Sequence, residues 1–73
     1  MKAKEMFEEL GFYQEISIDG TIIYSTFGAK YENKDFGNIY FNVSSGTFSA
    51  DFAIDSYIMS AIFKQCKELG WIE

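Results

Sequence analysis

The chain is predicted to fold as one α+β domain: a four-stranded antiparallel meander sheet with N- and C-terminal helices packed on one face, in the order αββββα. Two observations predict this. Nearly the same phrase, Glu8-Glu9-Leu10-Gly11-Phe12 and Lys67-Glu68-Leu69-Gly70-Trp71, closes a stretch of helical apolar spacing at each end. Between those ends the apolar residues alternate, and Asp19-Gly20 and Ser45-Gly46 punctuate the alternation as hairpin turns do.

In the first segment Ala3, Met6, Phe7 and Leu10 form one apolar stripe, with Lys4, Glu5, Glu8 and Glu9 largely outside it. A helix this short is marginal alone and must dock its stripe on a core. Gly11 can take the left-handed conformation that stops it, and Phe12 then folds back toward Phe7.

Phe12, Gln14, Ile16 and Ile18 share one face of the first strand. A two-residue turn at Asp19-Gly20 would pair Ile18 with Thr21 and Ile16 with Ile23. In the second hairpin Ile39, Phe41 and Val43 alternate with Tyr40 and Asn42. A turn at Ser45-Gly46 would set Val43 opposite Phe48, Phe41 opposite Ala50 and Ile39 opposite Phe52. The connection over 28–38 is either a long loop or a continuation of the flanking strands to a turn near Asn33-Lys34, with Gly28 or Gly37 as a bulge. The continuation is favoured, because structureless loops of this length are uncommon in small domains.

From Asp55 the period is helical again, with Ile58, Ala61, Ile62, Gln65, Cys66 and Leu69 on one stripe and Met59 and Phe63 widening it. Asp55 suits the N-cap and Gly70 the C-terminal stop, with Trp71 turned toward Cys66. Two helices of ~10 Å width match about four strands spaced ~4.8 Å apart. No proline or Ser/Gly-rich linker marks a domain boundary, so residues 1–73 make one unit.

Composition narrows the function. An apolar fraction of 48%, with 19% aromatics, excludes a disordered chain. A single cysteine excludes disulfide stapling, and no apolar run approaches the ~18 residues of a membrane span. A cytoplasmic protein is expected. A net charge of −5, with the lysines scattered and arginine absent, disfavours direct binding of nucleic acid. It suits solubility or a basic protein partner.

The chain contains no histidine, the commonest general base and metal ligand. Cys66 lies on an apolar stripe and reads as core; Glu8 with Glu9, and Asp51 with Asp55, read as solvated or capping carboxylates. Neither Asp19-Gly20 nor Gly28 and Gly37 carries the spacing of a calcium or phosphate loop. The sequence predicts no catalytic, metal-ligating or cofactor-binding residue and no cofactor. If Ile16, Ile23, Phe41 and Phe48 face the helices, then Tyr13, Ile22, Tyr24 and Tyr40 form an aromatic and polar far face. That face, with Tyr31 in the connection, is the predicted contact surface for a protein partner or a second copy.

The opening Met1-Lys2-Ala3-Lys4-Glu5-Met6-Phe7-Glu8-Glu9-Leu10-Gly11-Phe12 and the close Lys64-Gln65-Cys66-Lys67-Glu68-Leu69-Gly70-Trp71 resemble a group of small uncharacterised proteins of phages and prophages of Gram-positive bacteria. The resemblance covers about a third of the chain and its motifs are caps and stripes. It implies a bacterial cytoplasmic origin and supplies no catalytic residue to carry over. Because small acidic phage proteins include DNA-mimicking inhibitors of host defence, it also implies an alternative: an acidic inhibitor of a host DNA-binding or defence enzyme.

Overall fold

In a computed structural model that describes residues 1–26 and 37–73, the order is α1 (Ala3–Glu9), β1 (Phe12–Ile16), β2 (Ile22–Thr26), β3 (Asn38–Asn42), β4 (Thr47–Ala50) and α2 (Ser56–Glu68). The strands form one antiparallel sheet in the order β1-β2-β3-β4, as the meander reading requires. Tyr31 and the expected turn at Asn33-Lys34 lie outside the described residues. No helix among the described residues is long and apolar enough to cross a membrane.

The repeated end phrase is a pair of helix stops. Gly11 and Gly70 have φ of 97° and 79°, the left-handed region where a Cβ would be strained. At α2 the Gly70 amide donates to the Lys67 carbonyl at 3.0 Å and the Trp71 amide to the Cys66 carbonyl at 2.9 Å, the paired bonds of a Schellman cap. At α1 the Gly11 amide donates to Glu8 at 3.0 Å, and the rings of Phe7 and Phe12 meet edge to face at 5.6 Å. The N-termini are satisfied by carboxylates: Asp55 accepts from the Ile58 amide at 2.8 Å, and Glu5 from the Lys2 amide at 2.8 Å. Glu68 reaches from α2 to accept from the Ala3 amide at 2.7 Å, tying the two helices together at the positive end of α1.

The first hairpin corrects the expected facing of β2. Its loop holds three residues rather than two: the Ser17 amide donates to the Thr21 carbonyl, and the Gly20 amide to the Ser17 carbonyl, both at 2.9 Å. Gly20 takes φ of 90°, the left-handed position that ends a three-residue loop. One extra residue moves the partner of Ile16 from Ile23 to Ile22 and that of Gln14 to Tyr24. Because side chains alternate, the whole strand turns over. Ile22 and Tyr24 face the helices, Ile23 faces away, and Ile18, predicted inward, is fully exposed at the loop tip.

Asp19 holds this loop, accepting from the Ser17 hydroxyl and from the Thr21 amide at 3.0 Å. The Ser17 hydroxyl first, and then the Thr21 amide, hold its carboxyl down to about 2, against an ordinary 3.8. A depressed folded value means that the loop's preference for the carboxylate is present above pH 3.8 and lost as pH falls through about 2. An NMR titration of the Asp19 carboxyl should have its midpoint near 2, and a Ser17→Ala change should raise it.

The second hairpin also departs from the expected register, by two residues. A four-residue loop, 43–46, closes with the Gly46 amide donating to the Asn42 carbonyl at 2.9 Å. It sets Phe41 opposite Phe48 and Ile39 opposite Ala50. An even slip preserves facing, so the predicted inward set survives in the strands while Val43 moves to the exposed loop. Phe52, predicted to pair with Ile39, leaves the sheet and stacks on Phe12 at 6.0 Å.

The core lies between the helices and one sheet face: Phe7, Phe12, Tyr24, Ile39, Phe41, Ala61, Ile62 and Cys66. Phe7 stacks on the Tyr24 ring at 3.8 Å. The Tyr24 hydroxyl donates to Gln65 Oε1 and accepts from Gln14 Nε2 at 2.9 Å, so the buried phenol is satisfied on both sides.

Candidate interaction surface

Tyr13 and Tyr40 lie on the far side of the sheet as predicted, for both alternate with inward residues of their strands. Ile22 is half-buried on the helix side, and Tyr24 is completely buried there. The four therefore do not form one surface. Tyr40 is also committed locally: its hydroxyl accepts from Asn38 Nδ2 at 2.9 Å and donates to the Asp51 carboxylate at 3.4 Å. Aromatic exposure on the far face is thinner than the sequence implied.

Five of the carboxylates are held by structural bonds. Asp51 receives Tyr40 and the Asn38 amide, Asp55 caps α2, Asp19 fastens a loop, and Glu5 and Glu68 accept from amides at the start of α1. Burial pushes the Cys66 thiol up, away from thiolate chemistry, and pushes the Tyr24 phenol up likewise. Among the described residues no three metal-ligating side chains gather. A shallow cleft lined by Met1, Lys2, Glu5, Lys64 and Glu68 runs between the helices, and its two carboxylates are those already bonded to backbone.

The exposed apolar residues point to a different surface. Glu68 marks the side of α2 that meets α1. Met59 stands nine residues before it, two and a half turns at ~100° per residue, and so lies on the opposite side; Phe63 lies one turn beyond Met59 on that same ridge. The ridge is open, with Met59 and Phe63 49% and 54% exposed, and Lys67 sits over the Phe63 ring at 5.6 Å. α1 packs on α2 and β1 and reaches β2 through Phe7 on Tyr24, while Trp71, just after α2, meets Phe41 of β3.

A second exposed apolar site lies on the sheet edge beside β3. β4 ends the sheet, and Thr47, Phe48 and Ser49 are exposed. Phe48 faces the helix side and packs on Phe41 at 5.8 Å, yet keeps 42% of its surface in water. Residues 42–50 carry no charge in a chain of net charge −5. The opposite edge strand, β1, carries Glu15. Charged edges resist added strands, and β4 lacks that protection.

Sequence reasoning missed this flank because it treated Met59 and Phe63 as a widened core stripe. The available signal was the width itself. A stripe broader than one neighbouring helix and one sheet can cover leaves apolar residues in water. No family model, curated protein or solved structure matches this chain.

Proposed function

We propose that the chain is a non-enzymatic protein-interaction domain of phage or prophage type, acting in the bacterial cytoplasm, whose contact surface is the flank formed by β4 and the open side of α2. The observation that carries this reading is the apolar exposure of Phe48 on the edge strand and of Met59 and Phe63 on the side of α2 turned away from α1. Aromatic residues and methionine are enriched in protein interfaces, and charge is depleted at interface centres, as along residues 42–50. The phage assignment rests on the resemblance of the chain ends.

The alternative, an acidic inhibitor imitating DNA, calls for carboxylates ranged along one face. Among the described residues they are spread over α1, β1, both ends of α2 and the turns, and Glu5, Asp19, Asp55 and Glu68 are bonded to backbone amides. This distribution favours the interaction domain.

Changing Met59 and Phe63 together to serine tests the reading, since both are exposed and the fold should persist by circular dichroism. The variant is expected to lose association at least about tenfold, whether with a protein captured from a Gram-positive lysate or with a second copy. Unchanged association, or none by the wild-type chain in either form, would overturn it.

A further inference from the structure

We infer that the partner of this flank is a second copy of the chain, joined through antiparallel pairing of the two β4 edges into a continuous eight-stranded sheet. The inference rests on the interaction reading above and adds the partner and its geometry. The Asp51 amide donates to the Asn38 carbonyl at 3.0 Å, and the register pairs Asn42 with Thr47. Since antiparallel ladders bond at alternate residues, 47, 49 and 51 point their backbone groups at β3, while Phe48 and Ala50 point theirs outward.

A two-fold axis through Ser49 answers that pattern. It places Phe48 of each copy opposite Ala50 of the other, so that the outward amides and carbonyls of both residues bond across the seam. It also puts the helices of both copies on the same side of the sheet. The α2 helices then run antiparallel above the seam, and the two ridges of Met59 and Phe63 face one another over the two Phe48 rings.

Four-residue strands alone bury less than the ~1,200 Å² of a stable interface, and the half-exposed ridges supply the added apolar contact. Charge agrees with this arrangement. The bonded pairs at the centre of the seam, Phe48 opposite Ala50, are uncharged, the Asp51 of each copy falls at the seam's ends opposite Thr47, and antiparallel helices bring the Lys67 end of each toward the Asp55 end of the other. Any approach through acidic surface would instead set like charges together.

Ser49 lies on the axis with its side chain on the open face, where substitution leaves the core untouched. The wild-type chain should have the mass of a dimer by light scattering. Ser49→Lys and Ser49→Glu chains should each associate about a hundredfold more weakly, and an equimolar mixture should recover the dimer. Oxidation of a Ser49→Cys chain should give a cross-linked dimer, since directly opposed non-bonded pairs bring Cα atoms to ~4.5 Å, within disulfide reach. Cys66 is buried and should not compete. A monomeric wild type, or a dimer indifferent to both charges and not cross-linked, would overturn the inference. A monomer that still captures a partner through Met59 and Phe63 would overturn this pairing alone and leave the interaction reading standing.

Discussion

A Tyr24→Glu chain is expected to lose its cooperative unfolding transition and its near-ultraviolet dichroism at room temperature. A Tyr40→Glu chain should keep both. Tyr24 has no exposed surface, stacks on Phe7 at 3.8 Å and bridges Gln14 to Gln65. Removing a buried aromatic ring costs about 3–5 kcal/mol. The carboxyl put in its place must either be buried charged or take up a proton, and it leaves Gln65 without its donor, adding roughly 1–3 kcal/mol. At about 0.05–0.15 kcal/mol per residue a chain of this size has ~4–11 kcal/mol in all, so the loss consumes most or all of the margin. Tyr40 faces away from the core, and its ring is only partly covered. The comparison tests the first hairpin directly. A two-residue turn would place both tyrosines on the far face and predict the same mild result for each.

That turn shows where sequence reading succeeds and where it stops. Helix ends were legible because caps are local: a left-handed glycine, the aromatic after it and the N-terminal carboxylate act within a few residues of each other. Asp19-Gly20 was equally legible as a turn. The number of residues in its loop was not, because the same dipeptide fits a two-residue loop and the last two positions of a three-residue loop. What decided between them is tertiary. The longer loop brings Tyr24 inward, onto Phe7 and between two glutamines, contacts that alternation within one strand cannot reveal. In the second hairpin the slip was even, so facing survived an equally mistaken register.

The exposed ridge of α2 was less legible than the fold for a related reason. A helical stripe tells which residues are apolar, whereas their exposure depends on how many elements flank the helix. α1 lies on the Glu68 side of α2, and no described element covers the Met59 side, so residues of similar hydropathy have opposite fates. Ile62 is buried and Phe63, its neighbour in sequence, is half in water. Helix spacing does carry the information that these two differ by about 100° in direction. Sequence alone does not say which direction is vacant.

Phe41→Ala should be the most damaging simple truncation among the strand residues. Phe41 is wholly buried, and its ring meets Phe7 at 6.3 Å, Tyr24 at 5.9 Å, Phe48 at 5.8 Å and Trp71 at 6.1 Å. It thus joins α1, three strands and the segment after α2, and the cavity left by truncation cannot be filled without moving several of them. A loss of about 3–5 kcal/mol follows, which in a domain of this length lowers the thermal midpoint by well over about 10 °C. Phe48→Ala makes the informative contrast. Its ring is partly in water already, so it should cost less than about half as much stability while weakening self-association through the seam. Thermal melts and light scattering on the same two variants separate the roles. If Phe48→Ala proved as destabilising as Phe41→Ala, its ring would belong to the core and the β4 flank would lose its apolar centre. If association fell while the melt barely moved, the exposed part of Phe48 would be serving contact with another chain rather than the fold.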